Sequence, residues 1–474
     1  MQNHLTKASE NLILALDVGT LSVRTAVYDQ HGKLEALVSR PIGLQRRSEV
    51  EVEQDPLELK DKLREALQEI LALPLVQERG VAVAGLTTQR SSVVAWNRRT
   101  GKPLSPVLSW QDRRGGDYLK PLASKRTAIK RKSGLFLSPH YGASKLRWLL
   151  DHCPSLQEEA DLIFGPLAAF IIFGLLEDHP CVVDHVNASR TQLMDLVERD
   201  WSETLLTQFQ IDKGLLPACQ PTQSFFGYIA GTGIPLTAVN GDQNAAIYGS
   251  GSLDDDTCIV NIGTGAFILL PTGKRPIDHP RLLASIATST ATNATYLLEG
   301  TVNSAGAAIQ WAAEKWGEPD LIPQLEQWLA EISDPPIFVN TIGGLGSPLW
   351  IDGPPPYFVG NGTLAAKAVA IMESIVFLLK LNLETMRNTG QSIKRIRISG
   401  GLSSLDGLCQ LLADISQLAV IRSEERQSTA RGIAWLATHQ DRGWASYHEQ
   451  YFLPRQNRPL HNRYRQFCAQ LGSI

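Results

Sequence analysis

The chain has 474 residues, more than one hydrophobic core normally supports, so two domains are expected. Hydrophobic residues make up 43% and charged residues 20%, and a net charge of −3 gives no basic excess for nucleic acid. No stretch approaches the roughly 20 apolar residues of a membrane span, residues 1–10 are polar rather than a signal peptide, and six scattered cysteines form no metal-like or disulfide pattern, so a cytoplasmic protein is expected.

The pattern begins with a β-hairpin over 12–29, broken by Gly19-Thr20, and a third strand over 34–38. Apolar residues at helical spacing predict a helix over 56–73, ended by Pro74. Strands follow over 81–86 and 93–96. A helix is expected over 144–150, and the apolar run 162–176, interrupted by Gly165-Pro166, reads as a buried helix. A short helix over 201–210 and a loop-rich stretch over 221–235 lead to a strand ending in Asn240-Gly241-Asp242-Gln243, with a helix over 244–248. The strand–turn–strand pattern restarts at Thr257 around Gly263-Thr264-Gly265, which sets a domain boundary between 246 and 247. Further on, a strand over 295–298 and helices over 305–315 and 364–386 are expected. The strand 396–399 meets Gly400-Gly401, helices cover 406–418 and 428–439, and the Arg-rich tail is irregular. Alternating strands and helices make the class α/β.

Two Gly-Thr turns in one chain suggest a duplicated architecture gripping a phosphate from two sides, because such turns offer backbone N–H groups and hydroxyls to an anion. In Asp17-x-Gly19-Thr20-x-Ser22-x-Arg24, an acidic residue at a strand end can hold Mg²⁺ through water, and Arg24 can add charge at a phosphoryl group. A plain hairpin is the alternative. Asp242 sits near a helix start and can take a proton from an alcohol, or can simply cap the helix. Trp110-Gln111-Asp112-Arg113-Arg114 suits a polyhydroxylated ligand or an ordinary loop, and Gly400-Gly401 allows close approach of a nucleotide or a tight turn. No G-x-x-x-x-G-K-[ST] occurs, which excludes a P-loop enzyme. No G-x-G-x-x-G follows the first strand, which disfavours dinucleotide binding.

Taken in order over residues 12–440, these motifs resemble the FGGY carbohydrate kinases, the glycerol kinases most of all. The match includes Leu16-Asp17-Val18-Gly19-Thr20, Thr88-Gln89-Arg90, Trp110-Gln111-Asp112-Arg113-Arg114, Ser144-Lys145, Asn187-Ala188-Ser189-Arg190-Thr191, Gly241-Asp242-Gln243, Gly263-Thr264-Gly265, Leu298-Glu299-Gly300, Ala305-Gly306-Ala307 and Ser399-Gly400-Gly401. The resemblance implies two ribonuclease-H/actin-like domains with an inter-domain cleft, 11–246 carrying the acceptor site and 247–474 the nucleotide site. It implies ATP and Mg²⁺ as cofactors and a small polyol or sugar as substrate. Asp242 becomes the catalytic base and Asp17 the metal residue. Thr20, Ser22, Arg24, Gly263, Thr264, Gly306, Gln310, Gly400 and Gly401 line ATP, and Arg90, Ser91, Trp110, His140, Asp242 and Gln243 line the acceptor.

The acceptor residues depart from the family. The glycerol kinases carry Arg-Glu where this chain has Arg90-Ser91, an aromatic where it has His140, and a threonine where it has Leu21. Serine gives up a charge-assisted hydrogen-bond acceptor and leaves space. Xylulose kinases carry Met-His at Arg90-Ser91. Glycerol is therefore the first candidate acceptor, followed by another three-to-five-carbon polyol or a ketose such as a pentulose. A non-catalytic nucleotide- and sugar-binding regulator on the same fold is the alternative from another class. No nucleic acid or membrane partner is expected, and a homo-oligomer is left open.

Overall fold

In the computed structural model, which describes residues 11–425, 427–439, 444 and 448–473, the first hairpin forms where the sequence places it. The polar segment 1–10 lies outside the described residues. Strands β1 (Leu12–Val18), β2 (Ser22–Tyr28) and β3 (Leu34–Pro41) form an antiparallel meander. β1 is buried along its whole length, which accounts for its unbroken apolar run. Helix α1 (Pro56–Leu71) starts at Asp55, whose carboxylate accepts from the Leu57 and Glu58 N–H groups, with Pro56 at its first turn. Its face of Leu59, Leu63, Leu67 and Ile70 is buried. Each such side chain contributes about 1.5–3 kcal/mol on burial. The helix stops at Leu71, and Pro74 opens a separate short helix, Pro74–Arg79.

β4 (Val81–Thr88) returns parallel to β1, and β5 (Val93–Asn97) belongs to a second, smaller sheet that also takes in the short strands Gln45–Arg46 and Val52–Gln54. Trp110 follows the short strand Val107–Leu108, and helix α2 (Gly142–His152) begins just after His140, on a later stretch of chain beyond the helix Arg126–Ser133. The run expected as one helix over 162–176 is instead strand β6 (Leu162–Pro166), paired with β5, and helix α3 (Leu167–Leu175). All its residues up to Phe173 are buried, so periodicity carries no signal, and Pro166 in extended conformation marks the junction. Helix α4 (His185–Ser189) leads to β7 (Gln223–Tyr228), a strand within the stretch expected as loop, whose pairing with β8 (Pro235–Gly241) is irregular between Gln223 and Gly227. Helix α5 (Asp242–Ala246) begins at Asp242, two residues earlier than expected.

The plan then repeats. β9 (Thr257–Ile262) and β10 (Ala266–Gly273) form the second hairpin, followed by β11 (Leu283–Ser289) and β12 (Ala294–Val302). Helices α6 (Gly306–Trp316) and α7 (Leu364–Arg387) precede β13 (Arg395–Ser399). Helix α8 (Asp406–Ser416), β14 (Ala419–Ser423), α9 (Ser428–Ala437), β15 (Glu449–Phe452) and α10 (Arg458–Leu471) complete the order. The tail expected as irregular thus contains a helix, capped by Asn457, that buries Leu460, Tyr464, Phe467 and Leu471.

The sheets run β7-β8-β4-β1-β2-β3 and β11-β12-β10-β9-β13-β14-β15. Both contain an antiparallel three-strand meander joined to two parallel strands: β3-β2-β1-β4-β8 in one and β12-β10-β9-β13-β14 in the other. This is the duplicated, actin-like two-domain α/β architecture. Helix α9 falls between β14 and β15 of the second sheet in sequence but lies on the first: Thr237 Oγ1 donates to the Ala437 carbonyl at 2.7 Å, and the buried Arg431 donates to the Gly32 carbonyl at 2.9 Å. The two halves are thereby interlocked, and both hairpin turns lie at strand ends.

Candidate active site between the two sheets

Asp17 lies near the end of β1, 5% exposed, and its Oδ1 accepts from Thr87 Oγ1 of β4 at 2.9 Å. Burial and the neighbouring Asp242 charge raise its carboxyl to about 6, against the pull of Thr87 and Arg24, whose guanidinium is 3.9 Å away. The turn beyond it is fixed by the Gly19 N–H donating to the Ser22 carbonyl at 3.0 Å. Gln89 Nε2 donates to the Gly19 carbonyl and to Gln54 Oε1, and Gln54 Nε2 donates to the Thr20 carbonyl at 2.9 Å. Thr20 Oγ1 accepts from Trp110 Nε1 at 3.0 Å, so the first turn touches the loop that carries Trp110. Ser22 is half-buried, and Leu21 at the tip is exposed.

The second turn is bound to helix α6. The Gly306 N–H donates to the Gly263 carbonyl at 2.9 Å, and the Ala305 and Ala307 N–H groups donate to the Thr264 carbonyl at 2.9 and 3.0 Å. A Cβ on Gly306 would stand 2.8 Å from the Gly263 oxygen. Gly400, at φ +93, presses on Ile262, where a Cβ would meet its carbonyl at 2.5 Å. Only glycine fits either place. Gly401 beside it faces open space. A cavity of about 990 Å³ opens between the halves, lined by Arg24 from the first and by Asn261, Ser399, Gly400 and Gly401 from the second. Gly263, Thr264, Gly306 and Gln310 lie outside its lining, and the exposed Gln310 amide donates to Glu314.

Asp242 and Arg90 stand at the ends of the parallel pair β8 and β4. Arg90 is 6% exposed, donates from Nη1 to Asn244 at 2.6 Å and from Nη2 to Gln243, and has its Nε 4.0 Å from Asp242. Burial pushes the Asp242 carboxyl up, with Arg90 and Arg190 pulling it back. Arg90 Nη1 also reaches Glu299 of β12 at 3.3 Å, and Arg190 Nη1 donates to the other Glu299 oxygen at 3.0 Å. Burial works to raise the Glu299 carboxyl, but the two guanidiniums and the Ser285 hydroxyl outweigh it and hold it at about 2.

Trp110 meets His140 edge-on at 5.8 Å, His140 meets Tyr141 at 5.0 Å, and the Arg190 guanidinium lies 5.5 Å over Tyr141. Burial, with Lys145, Arg190, Arg90 and Arg113 nearby, lowers His140 well below its ordinary value and leaves it neutral. Ser91 is buried at φ +65, and its hydroxyl has no partner among the described residues. Burial pushes the Lys145 ammonium down to about 7, with Asp112 opposing and Arg114 and Arg113 adding to the fall.

Arg90, Asp242 and Gln243 are thus in direct contact, and Trp110 joins Thr20 to His140. Sequence reasoning assigned no role to Gln89, Lys145, Arg190 and Glu299, although each stood in a quoted motif. The signal for Glu299 is a charge inside the apolar strand Tyr296-Leu297-Leu298-Glu299.

The model of the FGGY family of carbohydrate kinases, N-terminal domain, matches residues 12–249, and its C-terminal counterpart matches residues 258–440. The chain belongs to the FGGY family of carbohydrate kinases. Curated relatives of this kinase include a glycerol kinase of Shewanella frigidimarina, 32% identical over 90% of this chain and 88% of its own length. One from Citrifermentans bemidjiense is 33% identical over 90% and 89%. Among solved structures, Plasmodium falciparum glycerol kinase with ADP has a TM-score of 0.90 at 24% identity, covering 98% of this chain and 97% of its own. A ligand-bound xylulose kinase from Lactobacillus acidophilus has a TM-score of 0.86 at 21% identity, covering 98% of each chain. The protein is a sugar or polyol kinase. No helix among the described residues is long and apolar enough to cross a membrane.

Proposed function

We propose that this kinase moves the γ-phosphoryl group of ATP to a hydroxyl of a small polyol, glycerol first, with Asp242 as the base. The observation that carries the reading is the convergence of Asp242 with Arg90 and Gln243 next to the Asp17 turn. Asp242 takes the hydroxyl proton as the acceptor oxygen attacks phosphorus in line and ADP leaves with the former bridging oxygen. A carboxylate with a raised pKa accepts that proton more readily. Arg90 and Gln243 orient the acceptor, and Trp110 and His140 form its apolar wall. Thr20, Ser22 and Arg24 meet the phosphates from one side, and the Gly263–Thr264 turn with Gly306 and Gln310 from the other. Gly400-Gly401 lies under the nucleoside, where Gly401 leaves room.

No cluster of three or more metal-ligating side chains exists among the described residues. That fits Mg²⁺ arriving with ATP, since this ion is usually held by one or two carboxylates, phosphate oxygens and water. Asp17, buried beside a second carboxylate, is the residue to face it. The ion would neutralise charge on the transferring phosphoryl group. We read 11–246 as the acceptor half and 247–474 as the nucleotide half. Six free thiols support a reducing, cytoplasmic setting.

Ser91 favours a second reading, a four- or five-carbon acceptor. A small side chain with an unpartnered buried hydroxyl leaves room and one hydrogen bond to offer. ADP release measured across a panel of polyols and ketoses tests both. Turnover of glycerol far above all others removes the second reading, and no ADP release with any member overturns the first.

A further inference from the structure

Lys145 is fully buried in helix α2, yet its ammonium is directed at backbone rather than at a carboxylate. Nζ donates to the carbonyls of Ser91 at 3.1 Å, Ser109 at 2.7 Å and His140 at 2.9 Å. An ammonium has three donors, and all three are used. Asp112, the carboxylate that favours this charge, is itself engaged by Arg114 and the Val52 N–H.

The three carbonyls belong to separate stretches of chain. One follows Arg90 in the turn after β4. One immediately precedes Trp110. One is that of His140. The same helix holds a fourth stretch through its N-terminus, where the Ala143 N–H donates to the Thr191 carbonyl at 2.7 Å, next to Arg190. Burying an ammonium is costly unless its donors are satisfied. A single tripodal cation can fix three segments at once, which neither an apolar side chain nor a planar guanidinium can do in the same space.

We infer that Lys145 is the positioning residue of the acceptor pocket: its ammonium ties the segments carrying Arg90-Ser91, Trp110 and His140 into one wall. Lys145 does not touch the acceptor, because no donor is left over. The inference rests on the reading of those residues as the acceptor wall. It locates acceptor specificity partly in backbone spacing, set from behind by a residue that makes no contact with the substrate.

The test is a comparison of KM values in the full-length enzyme, with glycerol and the best acceptor of the panel as probes. Lys145→Met is expected to raise the acceptor KM at least 30-fold while the ATP KM stays within threefold. Equal rises in both, or no rise in a folded variant, overturn the inference. If Lys145→Met does not fold, Lys145→Arg carries the test, since it keeps the charge but not the tripod. A fivefold or greater rise in acceptor KM alone supports the inference, and an unchanged acceptor KM overturns it. Trp110→Ala is the control for the wall itself. If that variant leaves the acceptor KM unchanged, the wall reading fails, and the inference falls with it for a distinguishable reason.

Discussion

Asp17 and Asn261 hold the same place in the two duplicated hairpins. Each precedes the last residue of the hairpin's first strand, and each bonds a hydroxyl directly across the parallel partner strand: Asp17 to Thr87 at 2.9 Å, Asn261 to Ser399 at 3.0 Å. The backbone plan is shared, and only the first copy carries a charge. Under the proposed function, that asymmetry suits a single Mg²⁺–phosphate group held between the two turns.

The equivalence predicts the outcome of Asp17→Asn. Asparagine can still accept from Thr87, and the second hairpin already carries asparagine there. The Asp17 carboxyl is raised from 3.8 to about 6, chiefly by burial. Its charged form is therefore disfavoured in the folded state by about 3 kcal/mol. This penalty is full above pH 6 and vanishes as pH falls toward 3.8. Asp17→Asn is expected to raise Tm by about 2–5 °C at pH 8 and by much less at pH 4, while activity falls at least ~100-fold. Calorimetry at the two pH values and an ADP-release assay check both halves.

Asp242→Asn should separate chemistry from binding. Arg90 and Gln243 still contact an amide at that position, so acceptor KM is expected to change less than about fivefold. Loss of the base should lower kcat by about 10²–10⁴-fold. In the wild type, kcat/KM should fall on the acid side, with an apparent pKa above the ordinary carboxylate value. Asp242 is raised by burial, and its charge also raises Asp17, so the value belongs to the pair. A pH–rate profile from 4.5 to 8 shows the limb, and a rate that does not fall toward the acid end of that range would contradict the assignment.

The hairpins and most long elements were legible in the sequence because glycines, apolar runs and short motifs are local signals, and the same motifs drew attention to Arg90, Asp242 and Gln243, which the fold brings together. The β6–α3 junction was not, since an all-buried run has no face to betray its period. The helix at 458–471 was hidden by arginines that mask its buried stripe. Nor could the sequence reveal that Arg90 and Glu299, 209 residues apart, meet across the halves. That pairing arises from tertiary packing of β12 against the first half.

The Arg90–Glu299–Arg190 group predicts acid sensitivity. Glu299 is held at about 2 in the folded state against an ordinary 4.5, so it contributes stability that is full above pH 4.5 and lost as pH falls toward 2. By linkage this is about 3 kcal/mol. Glu299→Gln leaves two buried guanidiniums without their counter-ion and is expected to cost about 3–5 kcal/mol. If Arg90 orients the acceptor as proposed, acceptor KM should rise with it. Urea unfolding at pH 7 and pH 3 measures the effect: the gap between wild type and Glu299→Gln should shrink at the lower pH.

Ser91→Glu tests what sets the acceptor. Ser91 occupies a left-handed backbone position, its carbonyl is held by Lys145, and its hydroxyl is unpartnered. A glutamate there adds a carboxylate beside Arg90 and fills the space the serine leaves. Charge-assisted hydrogen bonds to hydroxyls are worth roughly 1.5–3 kcal/mol, or about 10–100-fold in kcat/KM. If the pocket is enlarged for a four- or five-carbon acceptor, Ser91→Glu should raise kcat/KM for glycerol by about tenfold and lower it for the larger substrates. The ratio of the two, read from one ADP-release panel on both proteins, is insensitive to any general loss of stability. A ratio that does not move removes Ser91 as the residue that distinguishes the acceptors and leaves glycerol to be decided by Arg90, Trp110 and His140.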